Sequence, residues 1–139
     1  QLEQIILMIK QKLGNLASKK ITILGTAFKP NTDDIRDSIA IELIKKLLNK
    51  KAKIIIHDPK AMKNTQRIFK EKINYAKTIE DALAKSQCVI IMTQWKQYEK
   101  LNNNQFKYMT RKFVIDCRRM LAKKQLDVDY YAIGLGKQN

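Results

Sequence analysis

Histidine occurs once in this chain, cysteine and proline twice each and glycine four times among 139 residues. Each scarcity removes a class of function. Cys88 and Cys117 share no CxxC or Cys/His spacing, so neither a metal site nor a disulfide framework is expected. The first strand-like stretch ends in GTAFK with Gly25 alone, so the GxGxxG turn that lets a pyrophosphate approach the backbone is missing. No apolar run reaches the roughly 18 residues of a membrane span, and the N-terminus has no secretory pattern. A soluble, cytoplasmic protein with no membrane partner is expected. Acidic residues are few, 13 against 28 Lys and Arg, for a net charge of +15. Such a balance can signal nucleic acid. Here the lysines are scattered over every predicted helix and turn, and the arginines line no single face with interleaved aromatics. A solvated basic surface, with no nucleic-acid partner, is the better reading. A nucleic-acid-binding Rossmann-like module remains the rival from another class. The chain opens on Gln1 without an initiator methionine, which suggests a piece of a longer polypeptide.

The size fits one domain with a proper core. Residues 1–13 place Leu2, Ile5, Ile6, Met8, Ile9 and Leu13 on a helical period that Gly14 ends. ITIL then begins a run of strand signals: KIIIH to His57, a short stretch near Ile73 to Tyr75, CVIIM from Cys88, FVID to Asp116 and YYAIG from Tyr130 to Gly134. Helices are predicted between them, including Ile39 to Leu48 with Asp37 or Ser38 as cap, about Lys60 to Phe69, Thr78 through Ala84 with Thr78 as cap, and about Asn103 to Met109. A glycine-containing tail follows the last strand. The alternation predicts an α/β fold: a three-layer, Rossmann-like, doubly wound and mainly parallel sheet preceded by a linker helix. Right-handed crossovers place the loops after Gly25, His57, Met92 and Asp116 along one edge.

Those loops hold the candidate residues. Lys29 and Arg118, on separate strand-end loops, are suited to grip a diphosphate or carboxylate through charge-assisted hydrogen bonds. Phe28 offers a flat face to a base or sugar; the bland alternative is a core Phe28 and two solvated cations. Asp33, Asp34, Arg36 and Asp37 match no calcium loop and read better as a self-bracing charged loop, with Arg36 free to point at an anion. His57 beside Asp58 invites a catalytic reading, but no serine or cysteine nucleophile accompanies the pair, and a structural histidine is preferred. Cys88 reads as inert core, Cys117 as a weak candidate thiol, and Trp95 as packing.

The stretch ILGTAFKPNTDDIRDS, followed by an apolar helix, HDPKAM, the TQW strand end and VIDCRR, resembles the C-terminal domain of the UDP-glucose 6-dehydrogenases, within the wider nucleotide-sugar dehydrogenase family. The resemblance runs from about Lys19 to Gly134. It implies a boundary near residue 17: residues 1–17 ending a linker helix from a central domain, residues 18–139 forming the UDP-sugar-binding domain. It implies an enzyme with an N-terminal NAD domain, a central dimerising domain and this one, assembled as a homodimer or larger. Such enzymes oxidise the sugar C6 alcohol to a carboxylate in two NAD-dependent steps on a catalytic cysteine. That cysteine lies in a GGSCFPKD-like stretch which this chain does not contain, so no catalytic residue is expected here and the fragment alone should be inactive. The resemblance carries Phe28, Lys29 and Arg118 over as substrate-binding residues and Arg36 as one that reaches NAD. Cys117 stands where the family usually has glycine, Gln94 replaces a frequent glutamate, and Lys51 a frequent glycine. UDP-N-acetylmannosamine and GDP-mannose dehydrogenases are the alternatives within the class.

Overall fold

In the computed structural model, which describes residues 1–135, β1 (Lys20–Leu24) lies in the middle of the sheet because both of its faces are apolar or satisfied. Ile21 and Ile23 point one way and Thr22 and Leu24 the other, all completely buried. The one polar member, Thr22, donates its hydroxyl to the Ala82 carbonyl at 2.6 Å. β1 pairs in parallel with β2 (Lys53–His57) on one side and with β4 (Cys88–Ile91) on the other. With β3 (Asn74–Tyr75), β5 (Phe113–Asp116) and β6 (Asp129–Ala132) the order is β3-β2-β1-β4-β5-β6. Every pairing is parallel, so the sheet goes further than the mainly parallel one expected. The order reverses between β1 and β4, the switch point beside which open α/β sheets bind ligands.

Two hydrophobic clusters cover the faces. Ile21, Ile23, Ile54, Ile56, Ile90 and Ile115 meet α1 (Leu2–Leu13) and α2 (Ile39–Asn49) through residues such as Ile5, Ile9, Leu43 and Leu47, and Phe69 at the end of α3 (Met62–Phe69) joins them. Leu24, Val89, Ile91 and Val114 pack against Leu83 of α4 (Ile79–Leu83), Tyr98 of α5 (Lys96–Glu99) and Phe106 of α6 (Asn103–Phe106). α1, expected as the end of a linker, is part of this core. Gly14 ends it at φ 75°, and Lys12 ties it to the sheet edge by an ion pair to Asp129 at 2.8 Å and by sitting 4.9 Å from the centre of the Tyr131 ring. Among the described residues no helix is long and apolar enough to cross a membrane.

Local chemistry moves several predicted boundaries. α3 starts at Met62, after a turn in which the amides of Lys60 and Ala61 donate to the Asp58 carboxylate. α6 is a single turn, fixed by an Asn102–Gln105 capping box, after which Tyr108 and Met109 donate three residues back instead of four. β6 begins at Asp129 and ends at Ala132, one residue earlier at its start and two at its end than expected. Thr78 caps α4 as predicted, accepting from the Asp81 amide at 3.0 Å. Ser38 and Asp37 do not cap α2: Ser38 turns back to donate to the Thr26 carbonyl at 2.8 Å, and Asp37 takes φ 57°. The tail beyond Leu135 lies outside the described residues.

Candidate functional site at the carboxyl edge of the sheet

All parallel strands deliver their carboxyl ends to one edge, so the loops after β1, β2, β4 and β5 meet there. The first of these needs its glycine. Gly25 has φ 94°, and a Cβ at this position would lie 2.4 Å from Thr93 Oγ1 and 2.8 Å from the Thr93 amide nitrogen. The absence of a side chain lets the β1 and β4 ends close together. Thr93 then donates its hydroxyl to the Ala27 carbonyl at 3.0 Å, and Arg118 donates its Nε to the Met92 carbonyl at 2.8 Å. The loops that begin at Gly25, Met92 and Asp116 are thus stitched one to the next.

Two buried carboxylates hold those loops in shape. Asp58, 1% exposed at the end of β2, accepts from the amides of Thr26 (2.8 Å) and Ala27 (3.0 Å) and from the Trp95 indole (3.1 Å) on one oxygen. Its other oxygen accepts from the amides of Lys60 and Ala61. Asp116, fully buried at the end of β5, accepts from the Arg118 amide at 3.0 Å on one oxygen and from the Leu121 amide and the Tyr130 hydroxyl on the other. Burial and that hydrogen bond push the Tyr130 phenol well above its ordinary range. Arg118 leaves this turn half-buried, and burial holds its pKa below the usual guanidinium value.

Phe28 and Lys29 sit at the outer bend of the first loop. Phe28 is 46% exposed, which removes the core alternative for its ring, while its amide donates to the Asp34 carbonyl at 2.6 Å. Lys29 is exposed. The remainder of the loop braces itself as expected: Arg36 donates Nε and Nη2 to the Asp34 carboxylate, the latter at 2.8 Å, and its amide donates to the same group at 2.9 Å. The guanidinium holds Asp34 down to about 2. Arg36 lines an open hollow of about 500 Å³ with Thr32, Asp33, Asn64 and Arg67.

His57 is structural in this arrangement. The Tyr98 hydroxyl donates to the His57 carbonyl at 2.9 Å and stands 2.8 Å from Nδ1, which therefore carries the proton and donates back. Burial lowers its pKa. Both cysteines are fully buried, and burial raises Cys117 to about 12 and Cys88 beyond that. At neutral pH a thiol reagent is expected to label neither in the folded protein and both after unfolding. Rapid labelling of Cys117 under native conditions would contradict the placement.

Sequence reading missed the two organising acids. Asp58 was visible as a strand stop and as the neighbour of His57, and Asp116 only as the last letter of VID. The amides that Asp58 holds at Thr26 and Ala27 lie about thirty residues away, so no local spacing marks it.

Residues 22–123 match the UDP-glucose/GDP-mannose dehydrogenase family, UDP binding domain. The chain is 35% identical over 133 residues to the UDP-glucose 6-dehydrogenase AglM of Haloferax volcanii, covering 96% of this chain and 30% of that protein. It is 30% identical over 127 residues to the UDP-glucose 6-dehydrogenase YwqF of Bacillus subtilis, covering 88% and 29%. Among solved structures, a UDP-glucose dehydrogenase from Pyrobaculum islandicum superimposes with a TM-score of 0.81 at 29% identity, covering 98% of this chain and 29% of that one. A UDP-D-ManNAc dehydrogenase from Pyrococcus horikoshii shares the fold, with a TM-score of 0.77 at 19% identity over 95% of this chain and 29% of that one. The chain therefore spans about three tenths of the relatives it matches. By the match across most of its length, the chain belongs to the UDP-glucose/GDP-mannose dehydrogenase family and corresponds to its UDP binding domain.

Proposed function

We propose that this domain holds the UDP part of a nucleotide-sugar substrate for an NAD-dependent UDP-glucose 6-dehydrogenase that oxidises UDP-glucose to UDP-glucuronate. The observation that carries the reading is the stitched edge at the switch point, where the loops bearing Lys29 and Arg118 are tied through Thr93 and Met92. Lys29 supplies an exposed ammonium and Arg118 a half-buried guanidinium whose Nε is anchored on the Met92 carbonyl, and the two cations suit a pyrophosphate. Phe28 presents its exposed ring to the uridine or sugar.

NAD supplies the hydride acceptor. The first loop of this domain does not fit a dinucleotide, because it has one glycine and its free amides already serve Asp58. In this reading NAD is bound mainly by the N-terminal part of the whole enzyme, and Arg36, 87% exposed and held outward by Asp34, reaches it across a domain boundary. Residues 1–17 are the end of a linker helix from a central, dimerising domain. The buried, high-pKa thiols of Cys88 and Cys117 cannot act as the nucleophile, which lies elsewhere in the enzyme.

The test is turnover by the intact enzyme. NADH should form with UDP-glucose in preference to UDP-N-acetylmannosamine or GDP-mannose, and residues 1–139 alone should form none. Preferred oxidation of either other sugar nucleotide would reassign the substrate, and activity of the fragment would overturn the division of labour.

A further inference from the structure

In dinucleotide-binding folds the amides following the first strand cradle a pyrophosphate, and an acid at the end of the second strand takes a ribose hydroxyl. Here the same two places are joined to each other. Asp58, at the end of β2, turns inward and accepts the Thr26 and Ala27 amides at 2.8 and 3.0 Å, so the anion in the cradle is the protein's own carboxylate. The seat is complete, with three further donors: the Trp95 indole from the loop after β4, and the amides of Lys60 and Ala61 at the start of the next helix. At 1% exposure no room remains for a ligand phosphate. The loop so fixed carries Phe28 and Lys29 one and two residues beyond Ala27, and its Ala27 carbonyl is the one Thr93 holds.

We propose that Asp58 is the positioning residue of the substrate edge: by filling the cradle it closes this domain to dinucleotides and fixes the bend that presents Phe28 and Lys29 to the nucleotide sugar. The inference rests on the UDP-sugar reading above. A neutral amide at this position keeps one acceptor and sets an NH₂ group against backbone donors, so the bend that carries Phe28 and Lys29 loosens although both side chains are still present.

The experiment is steady-state kinetics of the intact enzyme carrying Asp58→Asn and, separately, Trp95→Phe, which removes one donor of the five. Asp58→Asn should raise the KM for UDP-glucose about tenfold or more and Trp95→Phe about threefold, with the KM for NAD and kcat within about twofold of the parent, because a misplaced charged contact costs substrate binding and not the chemical step. If Asp58→Asn does not fold, Trp95→Phe decides the matter. A KM for UDP-glucose unchanged in the folded variants, or a KM for NAD that moves equally, overturns the proposal. Lys29→Ala is the control. If it raises the KM while the Asp58 and Trp95 variants are silent, only the role of Asp58 is lost; if the parent enzyme oxidises no UDP-sugar, the underlying reading is lost instead.

Discussion

Replacing Arg118 by alanine in the intact enzyme is expected to raise the KM for the UDP-sugar by about 10- to 150-fold, since a hydrogen bond to a charged group contributes about 1.5–3 kcal/mol and each 1.4 kcal/mol is tenfold. The effect should fall on KM more than on kcat, because the pyrophosphate is gripped alike in the ground and transition states. Arg118 is anchored before substrate arrives: its amide is held by Asp116 and its Nε by the Met92 carbonyl. Lysine at this position keeps the charge but not the planar fork or the Nε bond, so Arg118→Lys should fall between the parent and alanine. Lys29→Ala should raise the KM as well, by less, since an exposed ammonium pays more to be ordered. Kinetics unchanged in both alanine variants would remove the site assignment.

Gly25→Ala is expected to lower the melting temperature by roughly 10 °C or to abolish folding, through two separate costs. A non-glycine residue held at φ 94° is strained by about 1–3 kcal/mol. Its Cβ would also stand 2.5 Å from Thr93 Cβ and 2.8 Å from the Thr93 amide nitrogen, a backbone atom of the neighbouring strand end, adding overpacking of about 1–3 kcal/mol. Together these are a large part of the roughly 5–15 kcal/mol by which a domain is stable. Gly14→Ala has the positive φ of 75° but open space around the new methyl, so it should cost only the strain. A thermal scan of the three proteins checks the ordering; Gly25→Ala melting within about 2 °C of the parent would contradict the close approach of the β1 and β4 ends.

Those two glycines mark how far the sequence could be read. The continuous apolar runs of ITIL, KIIIH and CVII announced buried parallel strands, and the strand-end loops could be placed on one edge from crossover handedness alone. The Asp34–Arg36 brace was also legible, since its partners lie two residues apart. What was not legible depends on groups that meet only after folding. Nothing near Ser38 foretells that its hydroxyl leaves the helix start for the Thr26 carbonyl twelve residues back. α6 ends after one turn, where Tyr108 and Met109 donate three residues back, although the apolar period continues to Met109. Asp58 and Asp116 looked like strand punctuation, yet each collects donors from several loops and so fixes the geometry of the edge. The resemblance named Phe28, Lys29 and Arg118; the reason their loops hold still lies in acids that local pattern does not single out.

Calorimetric titration of the intact protein with UDP and with uridine, repeated on the Lys29→Ala/Arg118→Ala double variant, addresses the pyrophosphate grip itself. UDP should bind the parent about a hundredfold or more tighter than uridine, the difference being the charged hydrogen bonds to the two phosphates, and the double variant should lose most of that advantage. Equal affinity for UDP and uridine in the parent, or an undiminished preference for UDP in the double variant, would contradict the account.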